Sequence, residues 1–209
     1  MSLPATVRPG REWGRIGLLG GSFNPAHAGH LHISEVALKR LGLDAVWWLV
    51  SPQNPLKSSD GMAPLAERMA SAHAAARHPR ILVTDMEQAF GSTYTAVTLQ
   101  KMRRRFPRAR FVWLMGADNM RQIPRWKRWG AIFETTPVAV IARPEYVWNA
   151  MHGKAAKRYE RARLGERSAT ALARRNPPAW IYLTTRLHPA SATEIRAGRQ
   201  SPFGGPERY

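Results

Sequence analysis

The 209-residue chain contains no cysteine. Disulfides, thiolate metal sites and cysteine nucleophiles are thereby excluded, and a reducing compartment suits the composition. Long apolar runs are missing too. The longest, AVWWLV at 45–50, is far short of the roughly 20 residues a membrane-spanning helix needs. The opening stretch MSLPATVRPGREWG holds no apolar core of a signal peptide. The expectation is a soluble, cytoplasmic protein with no membrane partner. Acidic residues are scarce: 14 Asp and Glu stand against 32 Lys and Arg, a formal net charge of +18. Such a field concentrates anions. Nucleotides, nucleic acid and anionic membrane surfaces all qualify, so charge alone does not choose among them.

What is present is a regular alternation. Short apolar runs at 16–19, 45–50, 81–84, 111–115, 138–142 and 180–183 read as buried strands. Helical spacing lies between them. One helix is expected over 29–40, with Ile33, Val36, Ala37 and Leu41 on one face and Gly42 as its stop. Another starts at Pro64, with Leu65, Met69, Ala72 and Ala76 as its stripe. A third covers 95–105, with Ala96, Leu99 and Met102 inward and Ser92 and Thr93 as candidate caps. Trp47 and Trp48 read as core. The pattern predicts an α/β fold: a Rossmann-like, doubly wound, mostly parallel sheet with helices on both faces. The expected organisation is a tail over 1–14, one domain over 15–199 and a tail over 200–209. Within the domain, 145–178 includes a basic stretch, 154–175, of helical propensity and thin apolar stripe (Ala155, Tyr159, Ala162). It reads as a solvated helix on the domain, a nucleic-acid contact face, or a lid or homo-oligomer contact.

Ligands of such sheets bind beyond the carboxyl ends of the strands. Four unusual clusters fall there: GGSFNPAHAGH, SPQNPLK, GADNM and ARPEY. The first, 20–30, follows a strand and opens a helix. Its glycines let backbone N–H groups approach a ligand, and the helix N-terminus favours phosphate. His27 and His30 share a face three residues apart and can donate to charge developing on phosphoryl oxygens. The stretch is neither a Walker A loop nor G-x-G-x-x-G. The histidine pair lacks the further ligands of a zinc site, so no protein-held metal is expected. A glycine turn followed by two capping histidines remains the structural alternative.

GGSFNPAHAGH resembles the G-G-[ST]-F-[DN]-P-x-H-x-G-H signature of the nucleotidyltransferase superfamily with the H-x-G-H motif, and SATEIR at 191–196 resembles its second signature, S-[ST]-T-x-I-R. NPLK, STYT and MGADNM with a following tryptophan are similar to segments found between the two. Together they resemble the bacterial nicotinate-nucleotide adenylyltransferases over about 15–199, weakly across 145–178. The resemblance implies transfer of AMP from ATP to nicotinate mononucleotide, giving deamido-NAD and pyrophosphate. Attack is in line, with no covalent enzyme intermediate, and Mg2+ arrives with the ATP.

Site residues follow by the same resemblance. His27 and His30 hold the reacting phosphates, and Arg196 binds the β- and γ-phosphates at the start of the last helix, with Ser191 and Thr193. Gly20, Gly21, Ser22 and Phe23 complete the ATP cradle, and Asp118 takes the adenylate ribose. The acceptor site is implied at Ser22, Lys57, Tyr94, Thr95 and Trp126, with the nicotinate carboxylate on the backbone N–H groups where the Tyr94–Thr95 helix begins and Trp126 stacked on the ring. Trp129, three residues beyond Trp126, leaves open a reading of both as core. Ser22 stands where Thr is commoner, Asn24 where Asp is usual, and Leu56 where the related loop often has His. Phosphopantetheine and nicotinamide mononucleotide are the rival acceptors. A non-catalytic nucleic-acid-binding protein is the rival of another class, and nucleic acid is not the expected partner.

Overall fold

The computed structural model describes residues 14–52, 61–142, 151–185 and 192–198. Lys57, Ser191 and nearly all of both expected tails lie outside the described residues. Seven parallel strands form one sheet: β1 (Arg15–Gly21), β2 (Ala45–Val50), β3 (Ile81–Thr84), β4 (Arg110–Gly116), β5 (Val138–Ile141), β6 (Arg163–Leu164) and β7 (Trp180–Leu183), in the order β3-β2-β1-β4-β5-β7-β6. The six expected strands are all present. The two-residue β6 was not expected, because so short a segment carries no alternation to read.

The order places β1 between β2 and β4, with Leu19 opposite both Trp48 and Leu114. From there successive connections run outward in opposite directions, which opens a crevice at the carboxyl ends of β1 and β4. Both faces of the sheet are buried, so its strands read as continuous apolar runs. Leu18, Trp47 and Trp113 pack on one face, and Leu19, Trp48 and Leu114 on the other. Trp47 and Trp48 are both core, on opposite sides, as adjacent strand residues must be.

Helices α1 (Ala28–Arg40), α2 (Leu65–Ala75) and α4 (Thr95–Arg105) lie where expected. Three short ones were not foreseen: α3 (Met86–Ala89), α5 (Ala117–Gln122) and α6 (Trp129–Thr135). A 3-10 turn, Ile123–Arg125, follows α5 directly. The basic stretch 154–175 is not one solvated helix. It divides into α7 (Lys154–Arg158), a 3-10 turn (Glu160–Ala162), β6 and a kinked 3-10 segment (Glu166–Arg174). Ala155, Ala156, Tyr159, Ala169, Leu172 and Ala173 are buried. Tyr159 stacks on Phe133 at 4.5 Å, and Trp180 Nε1 donates to the Tyr159 carbonyl at 2.8 Å. The segment therefore wraps the far edge of the sheet, with its basic residues outward. The last described element is α8 (Ala192–Arg196).

Candidate active site

The chain leaves β1 at Gly21 and enters α1 through a turn held by its own polar groups. His27 is the helix N-cap: its Nδ1 accepts from the Gly29 N–H at 3.1 Å. His30 Nδ1 accepts from the His27 N–H at 3.2 Å, completing a reciprocal capping box. The two sequence readings of these histidines are thus compatible. Both rings cap the helix through Nδ1, and because Nδ1 accepts, the neutral imidazole carries its proton on Nε2. The rings lie 4.0 Å apart, His27 buried and His30 half-buried.

Beneath them, Phe23 contacts His30 at 4.6 Å and stacks on Trp48 at 5.1 Å. Its ring is 1% exposed, so Phe23 supports the histidines from the core and contributes no exposed side chain to an ATP cradle. The Phe23 backbone is left-handed (φ 48°), an uncommon conformation for a bulky residue and one that proteins hold at functional turns. Gly20 has a reason the sequence did not disclose. A Cβ there would lie 2.4 Å from Trp113 Cη2, so the neighbouring indole already occupies the space beside it.

A cavity of roughly 300 Å³ opens beside this turn. It brings together Gly20, Gly21, Ser22, Tyr94, Thr95 and Trp126 among the expected site residues. Phe23, His27, His30, Asp118 and Arg196 do not line it. One wall is the start of α4. Tyr94 is its N-cap, and among the described residues no side chain caps this end; Ser92 Oγ instead accepts from the Tyr94 N–H at 3.2 Å. The expected caps Ser92 and Thr93 are therefore not realised, and the first turn of α4 faces the cavity without one. Trp126 and Trp129 are not a matched helical pair. Arg128, at φ 54°, turns the chain between them. Trp126 lines the cavity, whereas Trp129 packs edge-on against Phe133 and Tyr159. Lys127 and Arg125 line the same wall, with Lys127 Nζ 4.5 Å from the Tyr94 ring centre.

Asp118 sits half-buried in the first turn of α5, just past the carboxyl end of β4. Arg196 ends α8 rather than starting it, yet its Nη1 reaches the Asn24 carbonyl at 2.5 Å. The two signature segments, far apart in sequence, thus meet. Asn24 also explains its departure from Asp: its amide donates to the Gly61 carbonyl at 2.8 Å while its oxygen accepts from the Ala63 N–H at 3.3 Å. A carboxylate cannot do both.

Two buried charged residues that build this region were not foreseen from the sequence. Arg68 of α2 is 2% exposed and donates to the carbonyls of Ala63 (2.9 Å), Ser22 (2.8 Å), Ser51 (2.7 Å) and Pro52 (2.9 Å). Burial lowers its pKa, but a guanidinium remains charged in proteins. It pins the ends of β1 and β2 and leaves a buried positive charge under the turn. Glu87 of α3 is 4% exposed and lines the cavity; Thr98 Oγ1 donates to its Oε1 at 3.1 Å and Ser51 also hydrogen-bonds it. Burial pushes its carboxyl up to about 7. The apolar spacing of α2 marked the right face for Arg68 without marking a cation on it; Glu87 carried no signal.

Among the described residues, no group of three His, Cys, Asp or Glu side chains is placed to hold a metal, and no helix is long and apolar enough to cross a membrane. Residues 18–198 match the cytidylyltransferase-like family. A probable nicotinate-nucleotide adenylyltransferase of Cereibacter sphaeroides is 53% identical over 87% of this chain and 96% of its own length. One of the same name from Ruegeria pomeroyi is 50% identical over 91% of this chain and 88% of its own. The structure of Plasmodium falciparum nicotinic acid mononucleotide adenylyltransferase complexed with NaAD superposes with a TM-score of 0.65 at 16% identity, covering 88% and 82% of the two chains, which shows the shared fold. The chain belongs to the cytidylyltransferase-like family and, within it, to the bacterial nicotinate-nucleotide adenylyltransferases.

Proposed function

We propose that this chain transfers the adenylyl group of ATP to nicotinate mononucleotide, forming deamido-NAD and releasing pyrophosphate. The observation that carries this reading is the junction of the histidine turn with an uncapped helix start and an indole wall at one crevice. The reaction joins a mononucleotide phosphate to the α-phosphorus of ATP, so the protein's task is positioning and charge stabilisation. His30 and His27, with Nε2–H donors set by their capping bonds, hold the phosphates as charge moves from the attacking to the leaving oxygen. Arg196, tied to Asn24, supplies a planar cation for the pyrophosphate side. Asp118 accepts from the adenylate ribose. Ser191, Thr193 and Lys57 complete the phosphate contacts in this proposal. ATP enters as its magnesium complex, the cation held by phosphate oxygens and water.

The acceptor's ring enters the cavity. Its carboxylate meets the first-turn N–H groups of α4, where the helix dipole favours an anion, and Trp126 stacks on the ring. Phosphopantetheine offers neither feature. Pyrophosphate release from ATP and magnesium, with each of the three acceptors offered separately, tests the assignment. Release with nicotinate mononucleotide at the highest kcat/KM is expected. Preference for phosphopantetheine would overturn the placement of Tyr94, Thr95 and Trp126.

A further inference from the structure

Glu87 is a carboxyl group in a cavity assigned above to another carboxylate. It sits on α3, 11 residues before Thr98, the fourth residue of α4, and Thr98 and Ser51 both hydrogen-bond it. Its surroundings give it no ion pair among the described residues. Thr98 faces it from α4, Ser51 from the end of β2, and Thr84 sits at the base of α3, its hydroxyl accepting from the Met86 N–H. On its own turn Asp85 is exposed. Among the described residues, the cations of this region are Arg125 and Lys127, which line the cavity, Lys101 on α4 donating to the Phe90 carbonyl, and Arg68, which reaches the Ser51 carbonyl.

We propose that Glu87 is a specificity-determining residue that discriminates between carboxylate and carboxamide forms of the acceptor ring through its own protonation. The inference rests on the reading that the nicotinate carboxylate lies at the start of α4. A neutral Glu87 presents an O–H and adds no second charge to that helix end, so a ring carboxylate is welcome. An ionised Glu87 places a like charge beside it in a site of low dielectric, and accepts instead from an amide N–H. Burial holds the group near 7, so both forms are present around neutrality. Binding of nicotinate mononucleotide is then coupled to proton uptake, and its KM rises with pH. With a midpoint of about 7 and only the neutral form binding, the competent fraction falls roughly 25-fold between pH 6.5 and 8.5.

The experiment measures KM and kcat for nicotinate and nicotinamide mononucleotides from pH 6.5 to 8.5, in the wild-type protein and in Glu87→Gln. Ionisation of the acceptor phosphate is common to both proteins and cancels in the comparison. The expected result is a KM for the nicotinate compound that climbs several-fold more steeply in the wild type than in Glu87→Gln. The KM for the nicotinamide compound should stay flat or fall in the wild type. Superimposable profiles for the two proteins, or a parallel climb for both acceptors, would overturn the role of Glu87. Should Glu87→Gln fail to fold, calorimetric titration of the wild type with nicotinate mononucleotide at pH 7.5, in buffers of different ionisation enthalpy, reads proton uptake directly. No uptake there overturns the inference. Absence of turnover with nicotinate mononucleotide at every pH, from folded protein, removes the reading of the cavity itself and this inference with it.

Discussion

The two halves of the crevice solve opposite problems. The turn between β1 and α1 spends its polar groups on itself: each histidine accepts from a backbone N–H, and the His30 ring is braced by Phe23 and Trp48. The start of α4 does the reverse, leaving its first turn without a side-chain cap and facing a cavity. A reacting centre needs donors that are already fixed when charge moves, because reorganising them costs barrier height. A recognition site needs donors left over for a ligand to satisfy. On the proposed reading, the difference separates a rigid reacting centre from a helix start kept open for a ligand.

The largest break in this contrast comes from His30→Ala. Its backbone bond to His27 is worth only about 1 kcal/mol, so the variant is expected to fold. Loss of one preorganised donor is expected to lower kcat by roughly 10²–10³ with little change in KM for the acceptor. Near-normal turnover in single-turnover assays would take His30 out of the reaction.

Arg68 ties the turn to another wall of the cavity, since one guanidinium holds Ser22 on the turn and Ser51, which lines the cavity, together with Pro52. Arg68→Met leaves these carbonyls buried without a donor, a destabilisation of about 2–4 kcal/mol given partial relaxation. At this chain length that corresponds to a fall in Tm of roughly 5–15 °C. KM for both substrates is expected to rise about tenfold, because the Ser22 turn and the Ser51 wall of the cavity both lose their anchor. Arg68→Lys should not rescue it, as an ammonium cannot span carbonyls on two loops at once. Full rescue by Lys would show that only the charge matters.

These two residues also mark what was legible in the sequence. The sheet was, because strands buried on both faces are unbroken apolar runs, as in AVWWLV of β2. The place of the histidine turn was, because it follows an apolar run and opens a helical pattern; its assignment to phosphates came from the resemblance of GGSFNPAHAGH to a family signature. Short helices such as α5 and α6 were not, since six or seven residues are too few to show a period and are stabilised by packing. Arg68 and Glu87 were hidden for a different reason. A charged residue is presumed solvated until the fold supplies its partners, and those partners are backbone carbonyls and hydroxyls contributed by other segments. The packing of 154–175 was hidden likewise, because Ala155 and Tyr159 find Phe133 and Trp180 only across the sheet edge.

The smallest expected effect sharpens the comparison from within the turn. Asn24 binds Gly61 and Ala63 with its side chain, while its carbonyl takes Arg196. Asn24→Asp restores the residue usual in the resembling signature and turns one hydrogen bond into a contact between two acceptors. Losing that bond costs about 1 kcal/mol, a fall in Tm of roughly 2–4 °C. The added charge lies beside Arg196, whose attraction offsets part of the loss. Turnover is therefore expected to change by less than about threefold, and the KM for ATP to rise modestly as a carboxylate repels its phosphates. If the turn were preorganised mainly by Asn24, kcat would instead fall as far as in His30→Ala. The hydrogen bonds argue otherwise, because the imidazoles take their geometry from His27 and Gly29 N–H groups that Asn24 does not touch.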